Sequence, residues 1–287
     1  METTFALRLR DHRVVFLPKP SVMGVVNVSP HSFYNPHSDL PSALRTAERM
    51  VNEGALWLDI GAEATNPSVD MAVSLSPQQE IDRVVPLISA IRERWTVGIS
   101  VDTSQPAVMR AAVDAGADMI NDQRALRLEG ALDTVVALQT PVCLMHWFHP
   151  RREPDSCRQD VLLTQIKRDL YETVSRCELA GVMRDRILID PGFGQGHYGK
   201  SAKENFYLLA HLAEFAELEL PILTGLSRKS LIGHALGAPP SERLFGSIAA
   251  DTLAAWHGSS MIRTHDVKAT MEAMRVVSCV KTYCSYK

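Results

Sequence analysis

Eight short apolar runs recur along the chain, most of them ending in a polar residue and followed by a longer segment whose apolar residues return every three or four positions. The runs are SVMGVVNV (21–28), ALWLDIG (55–61), VGISVDTS (97–104), DMIND (118–122), PVCLMH (141–146), RILIDPG (186–192), PILTG (221–225) and SMIRTHD (260–266). They are continuously apolar, the pattern of parallel strands covered on both faces. The segments between them read as helices. SALRTAERMVNEG sets Leu44, Ala47 and Val51 on one face and stops at Gly54, and SPQQEIDRVVPLISAIRERW opens on Ser76, Pro77 and Glu80, a helix-start signature. PAVMRAAVDAGA ends at Gly116, and four further segments continue the series, while EGALDTVVALQT gives the weakest helical signal. Eight strand–helix units within about 250 residues predict an α/β fold, a (β/α)8 TIM barrel. A doubly wound open sheet is the rival, and its dinucleotide-binding form loses support because no G-x-G-x-x-G follows the first run. Without a repeat or Gly/Ser linker, residues 1–287 read as a single domain, with 1–20 a hairpin or cover at the barrel bottom.

Composition narrows the partners. A hydrophobic content of 46% over 287 residues supports a sizeable core, and a net charge of −3 from 30 basic and 33 acidic residues leaves no footprint for nucleic acid or an anionic membrane. A small soluble partner is favoured. No apolar run approaches the roughly 20 residues of a membrane span, and METTFALRLRDHR carries charges where a signal peptide needs apolar residues, so a cytoplasmic protein is expected. Five cysteines without a Cys-x-x-Cys pair fit reduced thiols.

The strand ends carry Asn27, Asp59, Asp102, Asn121, His146, Asp190, then Ser227 with Arg228 and Lys229, and finally Arg263 with His265. Any one of them could be a helix cap. Together they would ring one mouth of a barrel, where this fold builds its sites. Asp102, Asn121 and Asp190 form an acceptor side suited to a flat heterocycle with several N–H groups on one edge. Lys229, Arg263 and His265 follow the seventh and eighth runs, where barrels commonly bind phosphate. His146 reads as part of the mouth, and Met145 as packing that could also lie against the ring plane. Cys143, His146 and His149 have spacings a zinc site could use, but without a fourth ligand Cys143 reads as core. GFGQGHYGKS lacks the P-loop order and reads as a rim loop, and His31 and His37 as solvated loop residues.

MGVVNVSPHSF, DIGAEATNP, SVDTSQPAVMRAAVDAGADMINDQRAL, LMH, RILIDPGFGQG, GLSRKSLIG and IRTHDV occur in that order over about residues 20 to 270. Their order resembles the motif set of the dihydropteroate synthase family of pterin-binding proteins. The resemblance implies a transferase of folate biosynthesis, a sulfonamide target, that condenses dihydropterin hydroxymethyl pyrophosphate with p-aminobenzoate on a (β/α)8 barrel. It implies that Asp102, Asn121, Met145, Asp190, Lys229 and Arg263 hold the pterin. Asn27, Thr65, Arg263 and His265 would hold the pyrophosphate, with Asn27 a ligand of Mg2+, and Phe33, Pro67 and Ser230 would receive the aminobenzoate. Asn27, Lys229, Arg263 and His265 would carry the catalysis, and a homodimer is implied. Because an arylamine is neutral at pH 7, a dissociative departure of pyrophosphate is expected, its charge met by Mg2+, Arg263 and a helix N-terminus.

Two loops depart from that pattern. Ser29-Pro30-His31-Ser32-Phe33-Tyr34-Asn35 lacks two acidic residues of the usual first loop, and Ala64-Thr65-Asn66-Pro67 lacks the arginine of the second. A pterin-binding paralogue without the synthase step is therefore one alternative, and a pterin-dependent methyltransferase another. The SRKS segment and the Arg263/His265 pair favour the synthase, since a methyl donor brings no pyrophosphate.

Overall fold

The computed structural model describes residues 5–17, 20–28, 39–62, 75–148, 153–195 and 199–284. A hairpin of β1 (Ala6–Arg8) and β2 (Val14–Phe16) precedes eight parallel strands: β3 (Ser21–Asn27), β4 (Trp57–Gly61), β5 (Gly98–Asp102), β6 (Met119–Asp122), β7 (Val142–Met145), β8 (Ile187–Asp190), β9 (Leu223–Gly225) and β10 (Met261–Thr264). They run in the order β8-β7-β6-β5-β4-β3-β10-β9, and the bridge Ile189↔Ile222 brings the two ends together, giving a nearly closed (β/α)8 barrel. The helices are α1 (Leu40–Asn52), α2 (Pro77–Arg92), α3 (Pro106–Asp114), α4 (Ala131–Leu138), α5 (Gln159–Leu179), α6 (Ala202–Ala210), α7 (Ser230–Leu236), α8 (Leu244–Trp256) and α9 (Val267–Cys284). The short α4 lacks a side-chain cap and begins at Gly130, which accounts for its faint signal in sequence. In contrast, α2 starts at a capping box in which Ser76 and Gln79 each satisfy the other's backbone N–H. Among the described residues no helix is long and apolar enough to cross a membrane.

The apolar runs conceal a two-residue alternation. Outward residues such as Val22, Leu58, Ile99, Ile120, Leu144, Ile189 and Ile262 pack under the helices in one large core. Met23, Trp57, Met119, Cys143, Leu188, Leu223 and Met261 form a second cluster inside the barrel, capped by Leu7, Leu9 and Leu17 around the hairpin. Residues 5–17 thus cover the strand-start end. Gly98 leaves room for the indole of Trp57, since a Cβ there would lie 2.5 Å from the ring. Two positions past this layer, on the same parity, come Asp59, Asn121, Met145, Asp190, Gly225 and Arg263. The alternation that builds the inner apolar layer therefore delivers polar side chains to the layer above it.

Candidate active site

Arg263 joins the far sides of this upper layer. Its Nε donates to Asp59 Oδ2 at 2.5 Å and its Nη2 to Asp102 Oδ2 at 2.8 Å. Asn121 Nδ2 donates to the same Asp59 oxygen at 3.1 Å, which leaves its carbonyl oxygen as an acceptor. Gln123 Nε2 reaches both Asp102 oxygens, at 2.8 and 2.7 Å. Asp59, with no exposed surface, is thus the hub that orients Asn121 and Arg263. Strand register sets Asn27 beside Gly61 and Gly61 beside Asp102. A Cβ at Gly61 would press on Asn27 Oδ1 at 3.2 Å and Asp102 Cβ at 3.4 Å, so glycine lets these two side chains approach.

Asp190 lies at the end of β8, in register with the buried Met145. Its Oδ1 accepts the backbone N–H of Gly192 at 2.7 Å. Lys229 donates to the carbonyl of Phe193 at 2.5 Å. Burial raises Asp190 above the usual carboxylate range, against the charge of Lys229 and the Gly192 N–H. Burial likewise lowers Lys229 to about 8, opposed by Asp190. Asp102 is raised to about 7, again mainly by burial, with Arg263 opposing and Asp59 reinforcing the shift.

His265 is neutral at pH 7. Burial, followed by the charges of Arg263, Arg228 and Lys229, brings it to about 3. Its backbone N–H donates to Ser227 Oγ at 3.2 Å and its Nδ1 lies 3.1 Å from the same oxygen. Of the two neutral tautomers, the one in which the serine hydroxyl donates to Nδ1 places the ring proton on Nε2 as a hydrogen-bond donor. The basic side holds Lys229 and Arg263 as cations, with His265 a neutral donor.

Two strand-end residues leave the mouth. Arg228 makes a two-pronged ion pair with Asp266, 2.8 Å on each side, and donates to the carbonyls of Pro240 and Ser241. It ties the start of α7 to that of α9, and so sets the approach of Lys229 and the half-buried Ser230. His146, expected at the mouth, instead turns its ring to Asp169 on α5 and to Lys200. Cys143 is buried in the inner apolar layer, as its core reading requires, and burial drives its thiol well above the ordinary value. Thr65, Phe33 and Pro67, with the loop positions His31, Tyr34, Asn35, His37, Asn66 and His149, lie outside the described residues. Asp59 and Ser227 stand among the strand-end residues in the sequence but receive no role there, and Gln123 and Lys200 carry no signal of their own.

Comparison with known proteins bears on the family and the fold. A family profile described as "Pterin binding enzyme" matches residues 23–265. The dihydropteroate synthase of Escherichia coli K12 is 45% identical over 264 residues, covering 91% of this chain and 92% of its own. Among solved structures, the chain is similar to a dihydropteroate synthase of Coxiella burnetii in complex with pteroic acid: TM-score 0.93, 57% identity, 98% of this chain and 100% of that one. A dihydropteroate synthase of Xanthomonas albilineans with 4-aminobenzoic acid superposes at TM-score 0.87, with 42% identity over 97% of this chain and 99% of that one.

Proposed function

The chain belongs to the pterin binding enzyme family, among its dihydropteroate synthases, and from that premise we propose how its mouth divides the work. The reaction is a transfer that joins 6-hydroxymethyl-7,8-dihydropterin pyrophosphate to p-aminobenzoate, giving 7,8-dihydropteroate and pyrophosphate. Asp102, Asp190 and the carbonyl of Asn121 accept the N–H groups along the pterin edge, with Met145 against the ring. Asp59 and Asp102 fix the plane of the Arg263 guanidinium, which faces pterin and diphosphate together with Lys229. His265 offers Nε2–H to a phosphate oxygen beside Asn27. Ser230 receives the aminobenzoate carboxylate, a role shared with Phe33 and Pro67, and Thr65 lines the diphosphate side.

The observation that carries this division is the single network of Asp59, Asp102, Asn121 and Arg263, carboxylates on one side and a cation bridging to the other. A neutral arylamine attacks through a free lone pair and needs no strong base, so activation falls on the leaving group. Arg263, Lys229 and His265 stabilise negative charge growing on the diphosphate, while Asp102 and Asp190 oppose the positive charge left on the pterin methylene. This is a dissociative substitution.

For Mg2+, the donor set is sparse. Asn27 contributes one neutral oxygen at the rim, and among the described residues no group of three or more His, Cys, Asp or Glu is placed to hold a metal. That suits an ion satisfied mostly by diphosphate oxygens and water. When bound, Mg2+ would add its charge to that of Arg263 against the departing diphosphate.

The five free thiols support a cytoplasmic setting. Exposed Leu253 and Trp256 on α8 and Val276 and Tyr283 on α9 support a homodimer through these helices.

Pyrophosphate released on mixing both substrates with Mg2+ tests the assignment, and pterin binding without release would defeat it in favour of a non-catalytic paralogue. A second measurement addresses Lys229. With its amine held near 8, a diphosphate beside it favours the charged form, so binding at pH 8 should take up a proton. Calorimetry in two buffers of different ionisation enthalpy reads this uptake, and Lys229→Arg should remove it. Proton release at pH 8, or uptake unchanged in the arginine variant, would exclude Lys229 from the diphosphate's surroundings.

A further inference from the structure

A fully buried lysine stands behind the acceptor wall. Lys200 has no exposed surface. Its Nζ lies 2.8 Å from the carbonyl of Gly192, 3.2 Å from His146 Nδ1 and 5.2 Å from the centre of the Phe148 ring. Beyond the imidazole, His146 Nε2 is 3.3 Å from Asp169 Oδ2. Burial, reinforced by the charge of Lys200, brings His146 down to about 3, with Asp169 opposing and Arg127 adding to the shift. An ammonium group only donates. Nδ1 of the neutral ring therefore accepts from Lys200, and Nε2 carries its proton toward Asp169.

Burying an ammonium group is costly unless its donors are matched, so a lysine here needs a reason. The turn it holds supplies one. Gly192 donates its N–H to Asp190 Oδ1, and the following carbonyl, that of Phe193, receives Lys229 Nζ. Gly192 has φ +74°, and a Cβ there would run into the carbonyl oxygen of His146. A single peptide segment thus aims both Asp190 and Lys229, and Lys200 grips the carbonyl between those two contacts.

We propose that Lys200, held by neutral His146 and Asp169, is a positioning residue for pterin capture, fixing the Gly192–Phe193 peptide and through it the rotamer of Asp190 and the reach of Lys229. The proposal rests on Asp190 being an acceptor for the pterin edge. Lys200 touches no substrate, so its removal should act on one substrate selectively.

Steady-state kinetics with both substrates on Lys200→Met, His146→Leu, His146→Gln and Asp190→Asn tests this. Lys200→Met should raise KM for the pterin pyrophosphate about 10- to 100-fold, leaving KM for aminobenzoate unchanged. The acidic limb of kcat/KM for the pterin should also move to higher pH. Asp190 faces the cations Lys229, Lys200 and Arg263 and the thiol of Cys143; removing one cation raises its pKa. His146→Gln can still accept from the ammonium and donate to Asp169, so it should stay near the parent enzyme, whereas His146→Leu should follow Lys200→Met. Equal changes in both KM values, an unmoved limb, or a glutamine variant as impaired as the leucine one would overturn the proposal. Should Lys200→Met not fold, the His146 pair decides the matter on the same readouts. An unchanged pterin KM in Asp190→Asn would instead defeat the site reading. A raised KM there without one in Lys200→Met would defeat only the positioning role.

Discussion

Asp190→Ala is expected to weaken binding of the pterin substrate roughly 100- to 1000-fold while the protein stays folded. The carboxylate is buried at the end of β8, and one oxygen is already committed to the Gly192 N–H. Deleting it leaves the ring N–H groups that Asp190 accepts unpaired, beside the acceptors that Asp102 and Asn121 still offer to the rest of the edge, the situation in which a site built to hydrogen-bond discriminates strongly. The effect on stability has the opposite sign. Burial raises Asp190 above its unfolded value, so its ionisation costs native stability, a cost that grows as pH rises from the unfolded pKa through the folded one. A neutral residue removes that cost. Asp190→Asn should therefore melt at or above the parent temperature at pH 7.5 while losing affinity, a trade expected of a binding group held in a strained electrostatic setting. Isothermal calorimetry with the pterin pyrophosphate reads the affinity, and an unchanged dissociation constant would take Asp190 out of the site.

The barrel was legible because each run is apolar on both faces and most helices, α4 excepted, carry start or stop residues, signals that lie within a dozen positions of one another. The mouth was legible to the extent that it follows parity. Asn27 stands four positions past Met23, Asp190 two past Leu188, and Arg263 and His265 two and four past Met261, all on the inward register. His146 falls one position past Met145, on the outward register, which is why its ring meets Asp169 and Lys200 instead of the mouth. Counting in twos from Cys143 would have separated it. Other features carry no local trace. The partner of Asp59 is 204 positions away and that of Lys200 is 54 away. Gln123 lies beyond its strand in a turn, where no period applies. Arg228 reads as one of the strand-end residues of the mouth because the sequence does not show Asp266 folding back to it.

Arg263→Met is expected to reduce turnover about 1000-fold or more and to destabilise the barrel by about 3–5 kcal/mol. Both effects come from one geometry. Arg263 bridges Asp59, whose side chain has no exposure, and Asp102, whose side chain is 10% exposed. Without the guanidinium, two buried carboxylates face each other with no cation between them. Protonation of Asp102 is the relief. Asp102 already stands at about 7 although Arg263 lowers it, and its pKa in the methionine variant must rise further. An acid whose folded pKa exceeds its unfolded one loses stability as pH climbs between the two values. The melting temperature of Arg263→Met should accordingly rise from pH 8 to pH 6 more steeply than that of the parent. Adding Asp59→Asn removes one of the opposed charges and keeps an oxygen for Asn121 Nδ2, so the double variant should regain part of the stability and part of the parental pH slope, the rest staying lost because Arg263 lowers Asp102 more than Asp59 raises it. It should not regain turnover, because the cation meeting the diphosphate is still missing. Recovery of turnover in the double variant would reduce Arg263 to a structural counter-ion. A single variant with parental melting behaviour would show that Asp59 and Asp102 are neutralised by some other group.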